Sequence, residues 1–285
     1  MKQNQLRVAS CQFPVSDDIR RNAGYIRRYL KAAKNGGAHL LHTSETCLSG
    51  YARLDFDSFR GFNWDLLRTE TAHLQDLVAD LGIWLVLGSS HFLDAKNPPM
   101  NCLYLIGPDG RIVDRYDKCM LTSSDRQYYS AGNRLVTRTI RGVKVGFAIC
   151  YDACYPQIYA AYREKGVTLM LHSFYNAHHD GASCLDCLTE GQVPTRCADN
   201  RMWAVANNSS RRYSNWGTFV ARPDATIAKQ LPQHRAGMLF HDFPDGLSRN
   251  GWLHNYCPML LAKGQRMFLG RPSRHARQAD GASKP

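Results

Sequence analysis

Three residues in this chain could together run covalent catalysis: the thiol of Cys150, the carboxylate of Glu45 and the ammonium of Lys118. A thiolate is a strong nucleophile, and a carboxylate can take its proton. A fixed cation can stabilise the negative charge that develops on an attacked carbonyl. Taken singly, each has an ordinary explanation. A free cysteine is most often a small buried hydrophobe, and a lone glutamate or lysine is most often a solvated charge. Their shared setting sets them apart.

Each lies just past an apolar run. Val143 to Ile149 predicts a buried strand that ends at Cys150, and Tyr155 to Lys165 predicts an amphipathic helix. Cys150 is therefore expected on a strand-to-helix elbow, where a helix N-terminus would lower the thiol pKa and offer N–H groups to an oxyanion. Ala38 to Thr43 predicts another buried strand, with Glu45 beyond its end and Gly50-Tyr51 following. Cys102–Ile106 and Arg111–Tyr116 predict a hairpin closed by Pro108-Asp109-Gly110, with Lys118 past its second strand. In α/β proteins, reactive groups collect beyond the C-terminal ends of strands.

The remaining elements continue the alternation. Ser16 is expected to cap a helix running to Lys34, with Asp17 and Asp18 in its first turn and Gly36-Gly37 beyond it. A second helix is predicted over Trp64–Leu81 and, after the one that follows Cys150, a fourth near 184–200. Further strands are predicted over Ile83–Leu87, Val167–His172 and Trp203–Asn207, and near 217–221, 226–230 and 237–242. Helices alternating with strands and hairpins predict an α/β fold of two sheets covered by helices.

Five segments, in order, resemble the nitrilase superfamily of carbon–nitrogen hydrolases, over roughly Leu6 to the 250s. They are VASCQFPVSDD (8–18) with Asn22, LLHTSETCLSGY (40–51), RYDKCML (115–121) followed by Tyr128-Tyr129 and Gly132, CYDACYP (150–156), and TRCADNRMWAVANNS (195–209). The resemblance implies a four-layer α-β-β-α sandwich and a catalytic triad of Glu45, Lys118 and Cys150. It also implies supporting or substrate-binding roles for Asp125, Tyr151 and Asn176, with the Tyr151 backbone N–H an oxyanion donor. The implied activity is hydrolysis of an amide or N-carbamoyl bond through a cysteine thioester, with no metal or organic cofactor. A nitrilase and a non-catalytic binding relative are the alternatives. Nitrilases of the family commonly have Trp-Glu after the nucleophile; Tyr151-Asp152 here favours the amide side, and retention of all three triad residues favours an enzyme. Four positions depart from the family pattern: Ser44 replaces a Pro, Asp125 a Glu, Gln157 a Glu and Asp199 a Glu.

Composition fits one large domain. The chain has 285 residues, 44% of them hydrophobic, and no apolar run long enough to span a bilayer. With no apolar signal core at the N-terminus, the ten cysteines are expected as reduced thiols in the cytoplasm. Residues 1–262 are expected to form the hydrolase domain and the basic segment 263–285 a mobile tail. The net charge of +12 is spread over that tail and over Arg20, Arg27, Lys31 and Lys34, expected as a solvated helix face, without the basic-aromatic stripe of a nucleic-acid binder. His178, His179, Cys184, Cys187 and Cys197 include one Cys-x-x-Cys but no second half of a zinc site, and are expected as half-buried helix cysteines and loop histidines. Ile158, Tyr159, Ala161 and Tyr162 give the helix after Cys150 a wide apolar surface. By the resemblance that surface is expected to make a homodimer or larger assembly, with Trp252 to Phe268 contributing.

Overall fold

Strand alternation decides the layers. The computed structural model describes residues 5–176 and 184–243, with backbone alone for 184–189. The first sheet has the order β12-β1-β2-β3-β4-β5. Its strands are β1 (Leu6–Gln12), β2 (Leu40–His42), β3 (Trp84–His91), β4 (Met100–Ile106), β5 (Ile112–Asp117) and β12 (Gly237–Phe243). The second has the order β11-β10-β9-β8-β7-β6. It comprises β6 (Thr137–Ile140), β7 (Val143–Ile149), β8 (Leu169–Ser173), β9 (Trp203–Asn207), β10 (Phe219–Ala221) and β11 (Ile227–Gln230). Both sheets are parallel at the centre and antiparallel toward the edges. Central strands are apolar on both faces, as a sheet covered on both sides requires.

Three apolar interfaces follow. Leu6, Val8, Leu40 and Val86 meet Val145, Phe147, Leu169 and Val205 between the sheets. Ala9, Cys11 and Leu41 face the other way, against Ile26 and Leu30 of α1 (Ile19–Asn35) and Leu74 and Val78 of α2 (Trp64–Leu81). Ala148, Met170 and Ala204 face α3 (Pro156–Glu164) and α4 (Cys184–Asn200) through Tyr159, Tyr162, Val193 and Cys197. The fold is the expected four-layer α-β-β-α sandwich.

Several local expectations are corrected. Asp18, not Ser16, caps α1: its carboxylate accepts the Arg21 N–H, while the Ser16 N–H and hydroxyl both donate to the Asn22 side chain. Arg27 is not simply solvated, because it pairs with Glu70 of α2 at 2.6 Å. Ile158, Tyr159 and Tyr162 are buried in the chain's own core. They therefore offer no apolar surface to a partner; of the four residues expected there, only Ala161 is partly exposed. Cys197, on α4, is likewise fully buried and not half-buried as expected. His178 and His179, the side chains of Cys184 and Cys187, the segment Trp252 to Phe268 and the boundary at 262/263 lie outside the described residues. Among the described residues, no helix is long and apolar enough to cross a membrane.

Candidate active site

Glu45 sits in a turn after β2 that is pinned from two sides. The Thr43 hydroxyl donates to the Val86 carbonyl and accepts the Gly88 N–H, and the Leu48 N–H reaches the Gly88 carbonyl. The turn lies so close to β3 that a Cβ at Gly88 would sit 1.9 Å from the Ser44 oxygen, so only glycine fits. From the other sheet, the Phe174 carbonyl accepts the Glu45 N–H at 3.3 Å. Lys118 extends the β4–β5 ladder by one bond, its N–H donating to the Asn101 carbonyl at 2.9 Å. Its own carbonyl accepts the Gly132 N–H, where a Cβ would meet the Asp117 carbonyl oxygen at 2.2 Å.

These two turns put the side chains in contact. Lys118 Nζ lies 2.7 Å from Glu45 Oε1 and 2.8 Å from Asp125 Oδ2, all three groups buried. Asp125 opens a short 3-10 turn (Asp125–Gln127). It accepts the Tyr51 hydroxyl on Oδ1 and the Thr122 N–H on Oδ2. Tyr51 also lies 3.5 Å from Lys118 Nζ. A second donor, Asn101 Nδ2, reaches Glu45 Oε1 at 2.7 Å, while Oε2 is buried without a hydrogen-bond partner among the described residues.

The elbow is real, but its helix is not the one expected. Cys150 opens a 3-10 turn, Cys150–Cys154, and α3 begins only at Pro156. Cys150 has φ +44°, a left-handed conformation unusual for a residue with a side chain and a mark of strain held by its surroundings. Asp152 supplies part of that hold. Its carboxylate accepts the Ile149 N–H at 2.8 Å, the Tyr116 hydroxyl at 2.7 Å and the Met120 N–H at 2.8 Å. The buried His172 supplies another part: Nε2 donates to the Cys150 carbonyl at 3.3 Å, and Nδ1 accepts the Tyr159 hydroxyl at 2.7 Å. The carbonyl can only accept, which fixes that tautomer. The half-buried Cys150 sulfur lies 3.4 Å from Asn176 Oδ1, and Asn176 is itself held through its backbone by the Asn208 side chain. Tyr151 packs edge-on against Tyr155 with ring centroids 5.6 Å apart.

The electrostatics reverse one expectation. The thiol pKa is not lowered by position. Burial pushes Cys150 well above the usual thiol value and the Glu45 carboxylate pushes it further, with Lys118 opposing. The resting group is a thiol, so a base must remove its proton. Burial also raises Glu45, against the pull of Lys118. For Lys118, burial opposes the charge, but the Glu45 and Asp125 carboxylates outweigh it and hold the ammonium protonated. For Asp125, burial opposes ionisation, but Lys118 and the hydrogen bonds outweigh it and keep the carboxyl below its usual value.

The site brings together Glu45, Lys118, Asp125, Cys150 and Asn176, while Tyr151 stands beside the nucleophile in the same turn. Sequence reasoning missed the contacts of Asn101, Tyr51, Asp152 and His172.

Residues 7–249 match the carbon–nitrogen hydrolase family. The chain belongs to that family. It is 26% identical over 180 residues to an N-carbamoylputrescine amidase of Solanum tuberosum, covering 60% of this chain and 59% of the relative. It therefore spans under two thirds of that relative's length. It is 24% identical over 226 residues to an omega-amidase of Homo sapiens, covering 75% and 76% of the two chains. The fold is similar to that of an amidase from Nesterenkonia sp., with a TM-score of 0.76 at 20% identity over 93% of this chain and 98% of that one. One mutant of that amidase carries the acetamide moiety of fluoroacetamide covalently on its active-site cysteine.

Proposed function

We propose that this protein hydrolyses the carbon–nitrogen bond of a small amide or N-carbamoyl compound through a thioester on Cys150. One observation carries the reading. Glu45 is bound on one oxygen by Lys118, its other oxygen is buried without a hydrogen-bond partner among the described residues, and it is the charge that acts most strongly on the Cys150 thiol. A base and its counter-charge are thus in contact, with the nucleophile within their electrostatic reach.

Glu45 takes the thiol proton as sulfur attacks the carbonyl carbon. The Lys118 ammonium and the Tyr151 N–H, in the opening turn of a helix where N–H groups lack internal acceptors, stabilise the oxyanion. The tetrahedral adduct collapses, the carbon–nitrogen bond breaks, and Glu45 returns its proton to the leaving nitrogen. Glu45 then takes a proton from water, hydroxide attacks the thioester, and acid or carbamate departs as the sulfur regains the proton. Lys118 stays protonated throughout, consistent with its paired carboxylates. Asp125 supports it, and Asn176 lies where it can contact the acyl group.

The amide and N-carbamoyl classes rest on the similar proteins and on Tyr151-Asp152 after the nucleophile. Assembly as a homodimer rests on the resemblance alone, and sedimentation at micromolar protein with an activity assay tests it. The test of the reaction is ammonia release from panels of amides, N-carbamoyl amines and nitriles, with mass spectrometry of the acyl-enzyme. Release from nitriles alone, or no adduct on Cys150 with any panel, overturns the reading.

A further inference from the structure

Glu45 must receive and return a proton twice in each turnover, so which of its oxygens is free matters. Two donors converge on the same one. Lys118 Nζ lies 2.7 Å from Oε1, and Asn101 Nδ2 lies 2.7 Å from the same atom. A carboxylate can only accept hydrogen bonds when ionised, so the amide must face it with nitrogen. Asn101 is fully buried on β4, and its carbonyl takes the Lys118 N–H at 2.9 Å. One residue therefore touches the base through its side chain and the cation through its backbone. Its remaining side-chain atom, Oδ1, is buried without a partner among the described residues, an arrangement that costs stability. An apolar residue of similar volume would avoid that cost, so packing alone does not account for an asparagine here.

We propose that Asn101 is the positioning residue of the catalytic base: it pins Glu45 Oε1 and thereby leaves Oε2 as the oxygen that exchanges protons with the thiol, the leaving nitrogen and water. Without it, rotation of the carboxylate lets both oxygens turn toward Lys118, and the base is tied up by its own counter-charge. The inference rests on the hydrolase reading above. The Asn101 hydrogen bond also favours the ionised carboxylate, alongside the Lys118 ammonium. The other titratable groups acting on or beside Glu45 are Asp125, Cys150, Tyr51 and Tyr129. Asp125 opposes Glu45 ionisation, while Cys150, Tyr51 and Tyr129 have raised pKa values and stay neutral near pH 7.

The test is the pH profile of kcat/KM and, separately, of Cys150 alkylation by fluoroacetamide, which needs no turnover. In Asn101→Ala, kcat is expected to fall ~10- to 100-fold with KM nearly unchanged, and the acidic limb of both profiles to move up by about one pH unit. Asn101→Asp is close to isosteric and puts a second carboxyl against Glu45, so the limb is expected to move further up, because two adjacent carboxylates resist joint ionisation. A purely structural role would lower both profiles uniformly and leave the limb in place. Unmoved limbs in a folded Asn101→Ala or Asn101→Asp protein, checked by thermal melting, overturn the proposal. A wild-type protein that neither releases ammonia nor is alkylated at Cys150 overturns instead the hydrolase reading beneath it.

Discussion

The two walls of the site are held by opposite means. On one wall, Glu45, Lys118 and Asp125 form a buried cluster of two carboxylates about one ammonium. On the other, the Cys150 elbow is held mainly by hydrogen bonds to uncharged donors: Asp152 takes two backbone N–H groups and a tyrosine hydroxyl, and His172 binds a carbonyl and a tyrosine. Burial lowers the His172 pKa to about 3, so it is a neutral strut at any physiological pH. The charged wall can respond to a proton or an oxyanion. The second wall, neutral but for an Asp152 carboxyl held by three donors, keeps a strained backbone in place beside a thiol that must change charge. This comparison predicts that substitutions on the charged wall affect rate and stability together, whereas substitutions behind the elbow act through geometry.

The largest effect is expected from Cys150→Ala. Turnover should fall by several orders of magnitude, while the melting temperature stays close to that of the wild type, because a half-buried one-atom deletion removes little packing. An active Cys150→Ala protein would sink the mechanism. Lys118→Gln should come next and differ in kind. Removing the ammonium leaves two buried carboxylates without a counter-charge, so about 3–5 kcal/mol of stability should go with the activity. Denaturant unfolding beside single-turnover kinetics separates the two losses. A fully stable, inactive Lys118→Gln would mean that the carboxylates re-protonate at no cost, and the account of the charged wall would fail.

What the sequence shows and what it hides divides along the same line. Val143–Ile149 is predicted to end at Cys150 and does so, because a strand buried on both faces reads as a continuous apolar run. The Glu45 and Lys118 positions were legible for the same reason. Asn101 was not. Counting back from the Pro-Asp-Gly turn without interruption sets Lys118 opposite Met100. A bulge between Leu105 and Ile106 shifts the register, and the observed pairing of Cys102 with Asp117 brings Asn101 opposite Lys118 instead. A one-residue shift moves every side chain to the other face, and nothing in the composition of this hairpin announces it. The raised thiol pKa was hidden too. It depends on burial and on the nearness of Glu45, which is 105 residues away along the chain.

Acid should discriminate between folding and chemistry. His42 and His172 are both buried and held neutral, with pKa values lowered by burial from 6.5 to about 3. Unfolding frees both to bind protons below pH 6.5, so the folded state is at full advantage above that value and loses it as pH falls toward 3. Near pH 5 these two residues together contribute up to ~2.7 kcal/mol per pH unit, two protons at ~1.4 each, and His241, lowered to about 4, adds to them. His42→Asn should reduce the slope by ~1.4 kcal/mol per pH unit, measured by urea unfolding across pH 4–7. The activity limb has a different origin. Burial raises Glu45 above its usual value, so kcat/KM should decline at a pH above the ordinary carboxylate range, before the fold is lost. Coincident decline of activity and native signal would merge what this comparison separates.

Asp125→Asn should cost less activity than Glu45→Gln, because the amide oxygen can still face Lys118 and the Thr122 N–H, while the amide nitrogen donates to the Tyr51 hydroxyl that the carboxylate accepted. Its carboxyl is held below the usual value, so it contributes stability above pH 4 that is lost as pH falls through the lowered pKa. Asp125→Asn should remove that contribution at neutral pH. An activity loss as large as that of Glu45→Gln would show that the shorter carboxylate shares the chemistry.

The smallest effect probes the second wall. The Cys150 carbonyl takes the proton of His172 Nε2, so Tyr159 donates its hydroxyl to Nδ1 and anchors the far side of the ring. Tyr159→Phe removes one buried hydrogen bond and leaves the ring packing intact, so about 1 kcal/mol of stability should be lost. The Cys150 carbonyl still selects the tautomer with the proton on Nε2, but the ring loses the bond that anchors its far nitrogen, so its hold on the elbow loosens. Turnover should therefore drop by about three- to tenfold with KM little changed, since the carbonyl and not the substrate is what His172 touches. The acidic limb should stay where it is, because nothing on the charged wall has moved. A shifted limb in Tyr159→Phe would mean that the two walls are coupled, and that the elbow is more than a mechanical support for the thiol.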